Sequence, residues 1–142
     1  MFCDITDRLD DIEVLKIIAL SIYGESVDRA VEKAKACCEN DAQEIYGWIE
    51  NDVVLGVCGY TIHSGKVEIT NISVIENERE RGIGKAMITS LFDKYKVSIE
   101  AETDDDAVDF YRKCGFITTT TLQKHGVRRW KCIIPITPMK EI

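Results

Sequence analysis

The 142-residue chain has two prolines, two histidines and no apolar run long enough to span a membrane. Each shortage removes a class of protein. With so little proline and no low-complexity stretch or internal repeat, nothing marks a linker or a repeat array, and residues 1–142 read as one globular domain. His63 and His125 stand far apart, and Cys3, Cys37, Cys38, Cys58, Cys114 and Cys132 include no CxxC pair. Metal-ligand spacing is therefore missing, and no metal is expected. The same cysteines show no disulfide framework, and the first residues lack the basic start and apolar run of a signal peptide, so a reduced, cytoplasmic protein without a membrane partner is expected. Positive charge is also short, because 18 Lys and Arg against 25 Asp and Glu leave a net charge of −7. Nucleic acid is disfavoured, since its binding needs a surplus of cations to neutralise phosphates. A small-molecule or peptide partner carrying positive charge suits the balance better.

What is present reads as alternating strands and helices. A strand (β1, residues 2–5) precedes a helical spacing of Leu9, Ile12, Leu15, Ile18 and Ile22 (α1, residues 7–23) that Gly24 ends. Ser26 caps a second helix (α2) whose apolar stripe is Val27, Ala30, Val31, Ala34, Cys37 and Cys38, which makes both vicinal cysteines core filling. Residues 43–50 (β2) and 53–62 (β3) read as a hairpin about Asn51-Asp52, followed by residues 67–74 (β4). Side-chain alternation in β4 slips by one residue near Thr70-Asn71. A β-bulge produces such a slip and leaves strand backbone groups for a ligand, and burial on both faces produces it as well. A helix (α3) with Ile83, Met87, Ile88, Leu91, Phe92 and Tyr95 on its apolar side leads to residues 97–102 (β5), a strand–helix–strand run that implies a right-handed parallel crossover. Thr103 is placed to cap a last helix (α4), with Asp104, Asp105 and Asp106 at its positive end and Gly115 as its stop. Residues 116–122 (β6) and 127–134 (β7) form a final hairpin around Lys124-His125-Gly126.

Between β4 and α3 lies Arg79-Glu80-Arg81-Gly82-Ile83-Gly84-Lys85, where local charge opposes the global one. Glycines let a tight loop bring backbone N–H groups against a ligand, and the helix that follows starts with unpartnered N–H groups at its positive end. The stretch reads as an anion cradle. It lacks the third glycine of a dinucleotide fingerprint and the Gly-Lys-Ser/Thr ending of a P-loop.

Arg79-x-x-Gly82-x-Gly84, together with Ala107-Val108-Asp109-Phe110-Tyr111-Arg112-Lys113-Cys114-Gly115-Phe116, resembles the two signatures of the GNAT superfamily of acyl-CoA-dependent N-acetyltransferases. The resemblance covers residues 67–116 well and the amino-terminal third only in element order. It implies an α/β (α+β) fold with a mixed central sheet in the order β1-α1-α2-β2-β3-β4-α3-β5-α4-β6-β7, with β4 and β5 parallel and splayed around the cofactor. Acetyl-CoA is then the implied cosubstrate. Backbone groups of Ile72 and Val74 would hold its pantetheine arm, and Arg79, Arg81, Gly82, Ile83, Gly84 and Lys85 its pyrophosphate. Asp104 stands where many members carry an asparagine, and an ionised carboxylate accepts hydrogen bonds without donating them.

Direct attack on a thioester needs a neutral amine but no enzyme nucleophile. With a lysine-like pKa of about 10.4, fewer than roughly one amine in a thousand is neutral at pH 7, so a carboxylate base is useful. Glu68, at the spacing before Arg79 where histone-modifying members carry their base, is the candidate, with Glu102 in reserve. The resemblance assigns Tyr111 as the acid that protonates the departing thiolate, and the Val74 N–H as a donor to the oxyanion. The expected activity is acetyl transfer from acetyl-CoA to a primary amine of a small molecule or protein within a ternary complex, by a monomer or homodimer. The competing reading is an acyl-CoA-binding sensor or interaction module without catalysis. A Cys58–His63 acyltransferase is set aside, because no third orienting group is indicated.

Overall fold

The computed structural model describes residues 1–120 and 128–135, among which seven strands form one sheet in the spatial order β1-β2-β3-β4-β5-β7-β6. The strands are Phe2–Asp4, Gln43–Glu50, Val53–His63, Lys66–Val74, Ser98–Thr103, Ile117–Thr120 and Trp130–Ile134, and the helices are Ile12–Ala19, Val27–Glu39, Ile83–Tyr95 and Val108–Lys113. Only β4 and β5 pair in parallel, as the crossover through α3 requires, and the remaining neighbours are antiparallel. β7 enters between β5 and β6. The expected Lys124-His125-Gly126 turn, and the ends of β6 and β7 nearest it, lie outside the described residues.

The β2–β3 hairpin turns on Asn51 and Asp52, both at positive φ (51° and 65°), the backbone that matches the strands' right-handed twist. In β4 the alternation slip is a bulge. Gly59 pairs with Asn71 and Tyr60 with Ile69, leaving Thr70 as the extra residue. The bulge lets Val67, Ile69, Ile72 and Val74 share one face, where they pack with Met87, Leu91, Tyr111 and Cys132 in the core under α3 and α4. The opposite face packs Ile45, Val54 and Val57 against α1 and α2.

Three expectations need correction. The first helix spans Ile12–Ala19 rather than residues 7–23, because the Asp11 side chain accepts the Glu13 N–H and starts it there. Residues Thr6–Arg8 form a separate 3₁₀ turn, and Ile12, placed on the apolar stripe by spacing, is half exposed. Beyond Ala19 the chain leaves the helix and turns at Gly24, with φ 78°. Ser26 caps α2 as expected, its hydroxyl accepting the Arg29 N–H at 3.2 Å, but Cys38 is exposed and only Cys37 joins the core. Burial pushes the Cys37 thiol up to about 11. Finally, no side chain caps the regular last helix, which Ala107 precedes, and Asp104 rather than Thr103 shapes the turn that leads into it. The Asp104 Oδ1 accepts the N–H groups of Asp106 and Ala107, both at 3.0 Å, so that turn is irregular and regular helix begins at Val108. Gly115 stops α4 as expected, at φ 94°, with the Phe116 N–H closing onto Tyr111 O at 3.0 Å. No helix among the described residues is long and apolar enough to cross a membrane.

Candidate active site

β4 and β5 stay paired only from Lys66–Ser98 to Ile69–Ala101, and beyond the bulge the two strands part. The gap is the mouth of a cleft of about 1050 Å³. Its wall is the free edge of β4. Because the Ile75 N–H is turned toward β3, where it bonds Leu55 O at 2.9 Å, alternation turns the backbone groups of Val74 and Ile72 the other way, into the cleft. β5 meanwhile remains fixed on its other side by β7, through Thr103–Trp130.

The glycine loop closes one end. Gly82 sits at φ 81° and is the residue before the first turn of α3, which no side chain caps. The first return bond runs from the Ala86 N–H to Gly82 O, so the Ile83, Gly84 and Lys85 N–H groups precede the helical ladder and line the cleft mouth. The loop's arginines are fastened to protein. Arg79 Nε donates to Val74 O at 3.0 Å, tying the loop to the end of β4. Arg81 bonds Glu78 and, at 3.0 and 3.1 Å, both oxygens of Glu50, which also accepts the Trp48 indole N–H. These carboxylates raise the Arg81 pKa and neutralise its charge locally. Lys85 is exposed at the cleft.

Gly84 has a second function that spacing did not reveal. A Cβ there would lie 2.8 Å from Phe110 Cε1, so the glycine lets α3 and α4 meet at the cleft floor. Next to Phe110, Tyr111 is 6 % exposed and lines the cleft, its ring edge-on to Phe110 and Phe116 at 5.2 Å from each. Burial, and then the neighbouring Cys58 and Cys132, push its hydroxyl above the ordinary phenol range, so at neutral pH it holds its proton. Asp104 also borders the cleft, with Oδ1 used in the turn before α4.

The two candidate bases are separated. Glu68 and Glu102 share the face of the sheet opposite Ile69 and Ala101, but Glu102 lines the cleft and Glu68 does not. Glu68 lies beside His63, Nε2 to Oε1 3.6 Å, and Glu102 accepts from Arg129 at 3.1 Å. The Cys58–His63 arrangement does not form. Cys58 is fully buried on the α3 face with its thiol pKa raised by burial, whereas His63 is on the opposite face with Glu68. Among the described residues no three His, Cys, Asp or Glu side chains come together as a metal site.

Leu20 and Ser21, which the long-helix expectation hid, line the cleft because α1 ends at Ala19. Asn71 lines it too, and its only sequence signal was its place in the slip of β4.

A parallel pair opening at a bulge, with a glycine-led helix start at the opening, defines a class of acyl-CoA-dependent transferases. Residues 12–116 match the acetyltransferase (GNAT) family, and the chain belongs to that family as an acyl-CoA N-acyltransferase. An aminoglycoside 6'-N-acetyltransferase complexed with coenzyme A shares the fold at TM-score 0.82 and 14% identity, over 99% of each chain. The aminoglycoside 6'-N-acetyltransferase from Enterococcus faecium does so at TM-score 0.78 and 16% identity, again over 99% of each chain. A Bacillus subtilis acetyltransferase in complex with CoA reaches TM-score 0.68 and 20% identity, over 89% of this chain and 93% of its own. No curated protein matches the sequence.

Proposed function

We propose that the protein transfers an acetyl group from acetyl-CoA to a primary amine by direct attack, with donor and acceptor bound together. The observation that carries this reading is the free edge of β4 beside an uncapped helix start. One element offers strand backbone groups to an amide-containing arm and the other offers N–H groups to a pyrophosphate. The residues fit that donor. Ile72 presents backbone to the pantetheine arm and Val74, whose carbonyl is held by Arg79, presents its N–H to the thioester oxygen at the end of that arm, while Gly82, Ile83, Gly84 and Lys85 meet the pyrophosphate, with Lys85 supplying charge. Arg79 and Arg81 hold the loop in shape rather than reaching for phosphate.

Three roles follow for the reaction. Glu102 takes the proton of the incoming ammonium, directly or through a water, because it lies on the cleft while Glu68 is beside His63 outside it. The Val74 N–H donates to the oxygen that gains charge as the amine adds. Tyr111 donates its proton to the sulfur as the carbon–sulfur bond breaks, and its raised pKa means that the proton is still there to give. The acidic balance of the chain favours a cationic acceptor in its resting form, and small-molecule amines such as the aminoglycosides named for two similar structures are reasonable first candidates.

Thiol release from acetyl-CoA, measured over a panel of amines, tests the proposal. Amine-dependent release with an equal yield of N-acetyl product is expected. CoA binding without turnover of any amine would contradict catalysis and favour a sensor.

A further inference from the structure

α4 is six residues long, and a helix of that length does not hold itself, so its place in the fold is set by what it touches. Its inner side carries Val108 and Tyr111, both buried, and meets α3 through Phe110 at Gly84. The outer side runs through Asp109 and Arg112, one turn apart and bonded at 2.8 Å. There it meets Trp130 of β7. The Arg112 guanidinium lies over the Trp130 ring, 4.7 Å from its centroid, and Arg112 Nε donates to Thr118 Oγ1 of β6 at 3.1 Å. The Trp130 indole N–H reaches the other end of the helix, donating to Asp105 Oδ1 at 2.6 Å in the turn that leads into α4. Arg128 backs the same contact, with Nε 2.8 Å from that oxygen and its guanidinium 5.3 Å from the ring centroid. One side chain thus touches α4 ahead of its first turn and again at its last. The Trp130 backbone is itself fixed on both sides, by pairing with Thr103 of β5 and Thr120 of β6. Exposed ion pairs add little one by one, whereas these contacts converge on a single rigid ring.

Resting on the acyltransfer reading above, we propose that Trp130 is a positioning residue for acyl transfer, bracing α4 from outside so that the Tyr111 hydroxyl stays on the cleft where the thiolate leaves. Trp130 does not line the cleft, so its effect on the reaction passes through α4. Arg112 directly follows Tyr111 in the chain, and a helix that turns when the outer contact is lost carries the inner hydroxyl with it.

The test is a double-mutant cycle on kcat, with acetyl-CoA and the amine that the thiol-release panel finds best. Trp130→Leu should lower kcat about three- to tenfold on its own, and by less than about 1.5-fold when added to Tyr111→Phe, which has no phenolic proton to misplace. CoA affinity should stay within about threefold in every variant. Trp130→Phe keeps a ring under Arg112 and loses the N–H, and should recover part of the rate. An equal loss in both backgrounds, or no loss in either, would overturn the proposal. Should Trp130→Leu not fold, Arg112→Met releases one end of the brace and carries the same cycle. If no amine is turned over, or Tyr111→Phe is as active as the wild type, the acyltransfer reading or the acid assignment fails instead, and the brace is then read from the ¹³C ring signals of Tyr111. Displaced or broadened signals in Trp130→Leu, less so in Trp130→Phe, are expected, and unchanged signals would overturn the brace.

Discussion

The two halves of β4 share one alternation of polar and apolar residues and have opposite situations. From Lys66 to Ile69 the strand is held on both sides, by β3 and by β5, and its backbone groups are used up in the sheet. From Asn71 to Val74 it keeps β3 alone, so the groups that would have bonded β5 face a cleft. One extra residue, Thr70, separates the halves. The bulge turns the strand and keeps Ile72 and Val74 on the same core face as Val67 and Ile69, so the opening is gained without exposing the core. A binding edge thus arises inside a sheet, supported on its other side, and differs from an edge strand, which invites association along its whole length.

The bases give the strongest test of this contrast, since Glu68 belongs to the paired half and Glu102 to the strand that faces the free half. Glu102→Gln is expected to lower kcat by about a hundredfold at neutral pH and to recover partly above about pH 9, where more amine is neutral unaided. Glu68→Gln should cost less than about fivefold on the same pH series. The reverse order of losses would place proton transfer on the paired half.

Tyr111→Phe comes next, with turnover falling about ten- to a hundredfold and CoA affinity unchanged, because a thiol of pKa about 8.5 leaves tolerably well without help. The same burial links this hydroxyl to stability. Its folded pKa is raised, so the stability it contributes is complete below the unfolded phenol value of about 10 and is lost as pH rises toward the folded value. Thermal unfolding of the wild type and Tyr111→Phe between about pH 8 and 11 should show the flatter alkaline limb in the variant.

The carboxy-terminal half was the more legible in the sequence, and the reason is physical. Gly82 and Gly115 hold positive φ, which few other residues tolerate, and the spacing of Phe110-Tyr111 to Gly115-Phe116 marks a helix that must stop where it does. The loop was therefore visible as local chemistry, whereas the slip in β4 fitted a bulge and a strand buried on both faces alike. The end of α1, the pairing of Arg81 with Glu50 and the contact of Gly84 with Phe110 depend on residues far apart in the chain, which spacing does not report. Cys38 misled because α2 is amphipathic over a stripe narrower than its run of small residues. Asn71 was passed over as part of the slip, since a buried amide without a partner leaves no trace in a pattern of apolar positions.

Gly84→Ala would set a Cβ against the Phe110 ring, an overpacking that costs about 1–3 kcal/mol and is read as a lower melting temperature together with weaker CoA binding. Adding Phe110→Leu should restore part of both. A smaller effect is expected at the arginines. Arg81→Ala should weaken CoA binding only about two- to threefold, because Glu50 and Glu78 already occupy its guanidinium, and Lys85→Ala should weaken it more and reduce the salt dependence. Calorimetry with CoA at two salt concentrations separates the pair.

The central claim, that the free half of β4 and the start of α3 together hold the acyl donor, is tested most directly by following backbone amide signals of the ¹⁵N-labelled protein as CoA is added. The account predicts that the Ile72, Val74 and Gly82 to Lys85 signals shift strongly, while those of Lys66 to Ile69 stay in place. Shifts concentrated on the paired half, or on β1 and β2 away from the cleft, would contradict it.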